Sequence, residues 1–285
     1  MFTITLQRDT IDIGEHIGML AVGELPEGVN SDNLTWVHLR EYPNQLTVAP
    51  PDPNELYPLA WEIPLDDVYL DGQKLPRSTL SPSDISLTAL VDTVGHPHNR
   101  NLVVRLKISF LLWQGDAAIR GPADVIKYIT NSLGSGGYFP CNDPHILTFQ
   151  IGGKMFPVDP RDFVTQAVPD SVNVCSSNLY PNDPPHPEDL HSWTLGDPFL
   201  KSWVKLTWEY PRYTHLRYCF CRRGRVLASY YYGNLSYPSR DPPRMGFLSI
   251  VPTGAASDLQ SAIAAASAAG GNFPSEFTAL SWNIQ

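Results

Sequence analysis

Residues 89 to 100 read Ala89-Leu90-Val91-Asp92-Thr93-Val94-Gly95-His96-Pro97-His98-Asn99-Arg100. Three apolar residues run into a carboxylate and a hydroxyl, and the chain then turns polar. A carboxylate at the end of a hydrophobic strand is either a reactive group on a rigid support or an ordinary strand-end turn residue. The rest of the chain has to decide between these.

Around this stretch most of the sequence has the period of sheet. The expected strands are Thr3–Leu6, Gly18–Val22, Leu34–His38, Tyr69–Leu70, Leu87–Val91, Leu102–Trp113, His145–Ile151, Met155–Val158 and Arg244–Ile250. Asp71-Gly72 and Gly152-Gly153 are pairs that close tight hairpins. The alternating run Ile146 to Ile151, followed by Gly152-Gly153 and Lys154 to Val158, is the clearest hairpin. Helix is scarce. Pro122 to Ile129 has a proline near its first turn and an early acid at Asp124, which predicts a short amphipathic helix ending before Gly134. Ser257 to Ala269 is a second, alanine-rich candidate, expected to lie peripherally in a small-residue carboxy tail, residues 252–285.

The 285 residues contain 42% hydrophobic side chains, enough for a sizeable core, with 27 Pro and 20 Gly. A formal net charge of -9 argues against nucleic acid as the partner. No run of 18 apolar residues predicts a membrane span. Met1 to Leu6 alternates like a strand and lacks the pattern of a signal peptide. Asn33-Leu34-Thr35 and Asn234-Leu235-Ser236 both fit the N-glycosylation pattern. Cys141 and Cys175 are far enough apart that a bridge would close a loop worth roughly 4 kcal/mol. Cys219 and Cys221 lie in a basic aromatic segment. With His215 they supply too few ligands for a metal site, and no cofactor is expected.

Two segments differ from their flanks: residues 94–118, with a dense apolar run from Ile108 to Trp113, and residues 203–225, with six Lys/Arg against Glu209. His96 and His98 read as solvated turn residues. Asp66 and Asp67 would point to opposite faces of an extended segment, which excludes them as a catalytic pair.

Asp92-Thr93, taken with Trp193-Thr194-Leu195-Gly196-Asp197-Pro198-Phe199-Leu200, resembles the carboxy-terminal lobe of a pepsin-like aspartic protease of the fungal type. The resemblance covers roughly residues 3 to 251, and its pieces fall in the family's order. Residues 17–28 resemble the stretch joining the two lobes, and residues 57–76 the strands before the catalytic aspartate. Ala89 to Thr93 resembles that aspartate's strand. Ile119-Arg120-Gly121-Pro122 resembles the segment after the active-site loop, and Phe149 to Val164 the hairpin. The resemblance implies a mostly β fold: one lobe of antiparallel sheets with a short helix, occupying residues 1–251. It implies Asp92 as a catalytic carboxylate, Thr93 as its supporting partner, Gly196 in the tight crossing under the catalytic loop, and a disulfide between Cys141 and Cys175. The substrate implied is an extended peptide or protein, and the location secreted or vacuolar.

The family's reaction uses a water held between two carboxylates that share one proton. Only one is expected in this chain: Asp9-Thr10 is the other Asp-Thr pair, and Ile11 comes next. The first lobe is therefore expected to be missing, so that activity needs that lobe or a second copy. Val94 stands where the family has Gly, and a β-branched residue neither adopts positive φ cheaply nor lets the backbone approach the carboxylate. Without residues 94–118, Asp92-Thr93 almost meets Ile119. Without residues 203–225, Phe199 to Ser202 runs into Val226 to Tyr232 as a strand pair. Both segments thus read as translated non-coding sequence. The expected function is aspartic endopeptidase activity for the complete gene product, with the chain as written inactive. The alternative is a non-catalytic lobe or peptide-binding remnant.

Overall fold

The computed structural model describes residues 2–6, 8, 11, 19–22, 25–26, 29–40, 61–82, 85–91, 118–185, 191–201, 226–231, 244–249 and 251–274. In chain order its strands are β1 (Phe2–Thr5), β2 (Met19–Val22), β3 (Thr35–His38), β4 (Glu62–Pro64), β5 (Asp67–Leu70), β6 (Gln73–Lys74), β7 (Thr88–Val91), β8 (Ile119–Pro122), β9 (Tyr138–Phe139), β10 (Leu147–Ile151), β11 (Lys154–Pro157), β12 (Val164–Val168), β13 (Ser171–Ser177), β14 (Leu179–Asn182), β15 (Trp193–Leu195), β16 (Val226–Tyr231) and β17 (Arg244–Ser249). The α-helices are α1 (Ala123–Leu133), α2 (Pro160–Phe163), α3 (Asp197–Lys201) and α4 (Ala255–Ala268).

The expected mostly β lobe is what folds. Three sheets are antiparallel, with orders β2-β1-β16-β17-β3, β11-β10-β5-β6 and β12-β13-β9. The fourth, β14-β8-β15-β7-β4, also contains two parallel pairs, β14 with β8 and β15 with β7. The expected hairpin at Gly152-Gly153 forms: Ile151 pairs with Lys154, and both glycines take positive φ, 56° and 79°. That is the conformation a two-residue turn needs to match strand twist. The hairpin ends sooner than expected, because Asp159 caps the short helix α2 and Val164 already belongs to β12. Asp66 and Asp67 serve different partners, Gly153 N and Lys74 Nζ, as their alternation requires.

Aromatic edges join the layers. Phe149 of β10 meets Trp193 of β15 and Phe199 of α3 at 5.5 and 5.6 Å between ring centroids, both edge-on. Phe199 continues to Phe247 of β17. Such pairs add about 0.5–1.5 kcal/mol beyond their area. Cys141 and Cys175 are bonded and fully buried, tying the turn after β9 to β13. A closed loop of this size is worth roughly 4 kcal/mol on the chain-entropy estimate.

Two expectations are corrected. The alanine-rich segment is not peripheral: Leu259 is fully buried, and with Ile263 and Ala266 it belongs to the main core. The spacing of these three residues makes one helical stripe, and the surrounding alanines let the helix approach closely. Second, Phe199 to Lys201 is helix α3, not strand. The Gly196 carbonyl accepts from Phe199 N and Leu200 N, and Lys201 reaches back to Asp197 at 3.0 Å. The expected strand Leu102–Trp113 lies outside the described residues.

A charged cluster fastens the amino-terminal segment. Arg8 is fully buried and holds Asp162 through Nε and Nη2 at 2.7 and 2.8 Å. Asp159, 3.3 Å from Arg8, is in turn gripped by Arg161 at 2.7 Å, and Arg161 reaches Asp258 of α4 at 3.5 Å. Burial pushes the Asp162 carboxyl up, and the Arg8 guanidinium opposes it.

Candidate active-site frame

The fourth sheet is the support on which the candidate aspartate would stand. Thr88-Ala89-Leu90-Val91 is buried along its whole length, as expected of a strand covered on both faces. On one flank β7 runs parallel to β15, with Ala89 opposite Trp193, Leu90 opposite Thr194 and Val91 opposite Leu195. On the other it is antiparallel to β4, where Ile63 faces Ala89 and Glu62 faces Leu90.

Alternation divides this sheet into rows. One row, Ile63-Ala89-Trp193, contributes to the hydrophobic core. The adjoining row, Glu62-Leu90-Thr194-Arg120, carries polar side chains on the other face. His191 spans that row: its Nδ1 lies 3.4 Å from Glu62 Oε1, and its Nε2 lies 3.3 Å from Thr194 Oγ1. Glu62 is 1% exposed and His191 5%. Arg40 approaches the second Glu62 oxygen at 3.9 Å. Next to His191, Ser192 donates from Oγ to the Ile85 carbonyl at 2.8 Å and from its N–H to Thr88 Oγ1 at 3.3 Å. Polar contacts therefore clamp β7 to β15 at its start and β4 to β15 across its middle.

The other fixed point is Gly121. A Cβ built there would stand 2.5 Å from Cζ3 of Trp193, so β8 crosses the indole at a distance only glycine permits. Beyond Gly121, the first turn of α1 holds Asp124, which accepts from Thr79 N at 2.7 Å, Ser78 Oγ at 2.8 Å and Val125 N at 2.9 Å. Burial pushes this carboxyl up, but those hydrogen bonds outweigh it and hold it below the usual carboxylate range. The loop before β7 is thereby tied to the helix after β8.

Val91 and Leu195 form the last described pair of β7 and β15. The residues next to them in sequence are Asp92 and Gly196. Gly196 is buried between β15 and α3. Asp92 and Thr93 lie outside the described residues, as do Val94, His96, His98, Asp9-Thr10, His215, Cys219, Cys221 and residues 203–225. Ala118, the last residue of the segment 94–118, is described and buried at 4%. Glu62, His191, Ser192 and the Gly121–Trp193 contact do not stand out as site features in the sequence. No local spacing links Glu62 to His191, and Gly121 is conspicuous only as part of the run Ile119 to Pro122.

A model of the eukaryotic aspartyl protease family matches residues 15–210, more than two thirds of the chain. The chain belongs to the eukaryotic aspartyl protease family. The match spans the sheet β14-β8-β15-β7-β4 entire, and with it Asp92-Thr93 and Leu195-Gly196. Among the described residues no group of three His, Cys, Asp or Glu gathers as a metal would need. No described helix is long and apolar enough to cross a membrane.

Proposed function

We propose that Asp92 is one of the two catalytic carboxylates of an aspartic endopeptidase acting on extended peptides at acid pH, with Thr93 as its supporting partner and Gly196 in the adjoining crossing. Membership of the aspartyl protease family supports this reading. The observation that carries it is the parallel pair Val91–Leu195 at the end of a clamped, buried strand, with Asp92 and Gly196 next in sequence. One carboxylate takes the proton of a water while the other, protonated, polarises the scissile carbonyl. Acid pH suits this because two close carboxylates keep one proton between them.

A single aspartate holds a water but cannot make the shared-proton pair. In this proposal the second carboxylate comes from a partner lobe outside the present sequence, and the chain alone is inactive. Val94 at the family's Gly position favours the same outcome. The test is hydrolysis of a denatured protein between pH 3 and 5 by the purified chain, beside Asp92→Asn and with a transition-state inhibitor of aspartic proteases. The proposal expects no inhibitor-sensitive cleavage. Cleavage lost on both Asp92→Asn and inhibitor addition would show that two copies of the chain supply the pair, and the requirement for a partner lobe would fall.

A further inference from the structure

The triplet Asn33-Leu34-Thr35 has a structural setting that the protease reading does not use. Asn33 ends the single turn Ser31–Asn33, and its side chain is exposed. The turn itself is firmly held. Asn30 Oδ1 accepts from Asp32 N at 3.1 Å, Leu34 N donates to the Ser31 carbonyl at 3.2 Å, and the Trp36 indole donates to both Ser31 oxygens at 3.1 Å. The Asn33 backbone N–H donates to the Asn30 carbonyl at 3.0 Å, and none of these bonds engages its side-chain amide. We propose that Asn33 carries an N-linked oligosaccharide. In its formation Asn33 Nδ2 bonds to the anomeric carbon of a polyisoprenyl-pyrophosphate-linked oligosaccharide. The carbon–oxygen bond to the pyrophosphate breaks, the pyrophosphate leaves with that electron pair, and the amide gives up one proton.

The other half of the triplet says when this happens. Thr35 is 8% exposed in β3, pairs with Phe247 of β17, and packs where a Cβ on Gly152 would come within 2.8 Å of its methyl. In the folded protein its hydroxyl is therefore closed to a transferase, so transfer takes place on the nascent chain. The partner strand β17 lies more than 200 residues later in the sequence. At synthesis rates of roughly 5–20 residues per second, β3 waits on the order of 10–40 s for it. The compartment is indicated independently: the buried Cys141–Cys175 bond belongs to an oxidising environment. Because β3 is outermost among the described strands of its sheet, a glycan beside its first residue also screens that edge from pairing with another chain.

The full chain, directed by a cleavable leader into microsomes during translation, tests this with Ser236→Ala as background to silence the second triplet. A control acceptor protein reports transferase activity. The expected result is a glycosidase-sensitive mass increment on the tryptic peptide ending at Arg40, kept in Thr35→Ser and absent in Asn33→Gln and Thr35→Val. Nascent-chain attachment makes this readout independent of final folding. An unmodified Asn33 peptide beside a glycosylated control would overturn the proposal, as would an increment that survives Asn33→Gln.

Discussion

The indole of Trp193 fills the space that a Cβ on Gly121 would need, 2.5 Å from Cζ3. Trp193 is 2% exposed and meets Phe149 edge-on, so it has little room to withdraw. This contact fixes the spacing of β8 and β15, and β15 is the parallel neighbour of the strand that leads to Asp92.

Gly121→Ala is therefore an overpacking change, expected to cost about 1–3 kcal/mol. Denaturant unfolding of the variant would read it. In Trp193→Leu the same alanine should cost much less. A Gly121→Ala penalty that stays the same in both backgrounds would show that the contact does not set the spacing.

Arg8→Met leaves Asp162 buried beside Asp159 without its bidentate partner, and breaking such a pair costs about 3–5 kcal/mol near neutral pH. With the opposing guanidinium gone, burial raises the Asp162 pKa further. A carboxyl whose folded pKa is raised gives stability that is complete below its ordinary value of 3.8 and is lost as pH rises through the folded value. The variant should recover stability relative to wild type as pH is lowered from 7 toward 4. A deficit that does not change with pH would contradict this account of the cluster.

Asp124 has the opposite sign. Its folded pKa lies below the ordinary 3.8, so its contribution is complete above that value and disappears as pH falls through the folded pKa. Asp124→Asn should lower the melting temperature by a constant amount above about pH 5, where a capping-type loss is worth about 1 kcal/mol. The gap should close below pH 3.8. Parallel melts of both proteins from pH 2 to 7 check it, and a gap that widens on acidification would refute it.

Leu259→Ala tests whether α4 belongs to the core. A fully buried leucine costs about 2–5 kcal/mol on truncation to alanine. A loss under about 0.5 kcal/mol, typical of surface changes, would restore the peripheral reading.

Helix α3 ends at Lys201, β16 begins at Val226, and the two elements pack together. A short connection would join them without residues 203–225. If residues 94–118 and 203–225 are translated non-coding sequence, transcript sequencing should find messages lacking both. A message carrying both in frame, abundant and exclusive, would contradict this.

The features legible in the sequence are those that one stretch of chain decides alone. The Gly152-Gly153 hairpin, the helix stopping at Gly134 and the apolar strand into Asp92 each announce themselves within a dozen residues. Helix α4 defies its composition: many alanines suggest a peripheral tail, while the spacing of Leu259, Ile263 and Ala266 is what sets its burial. Phe199 to Lys201 is ambiguous because a short apolar run fits strand and helix equally, and Asp197 at the first turn is the available signal. The clamp of Glu62, His191 and Thr194 is invisible for another reason. It joins residues more than 120 positions apart, and only strand register brings them together.

In the proposed function Asp92 is a catalytic carboxylate that needs a partner. This is tested by acid proteolysis by the chain, without residues 94–118 and 203–225, co-folded with a first lobe carrying its own Asp-Thr-Gly. The account predicts inhibitor-sensitive cleavage at pH 3–5 that falls by at least about 1000-fold in Asp92→Asn, on the order of 4 kcal/mol of transition-state stabilisation. Cleavage that survives Asp92→Asn undiminished would contradict it.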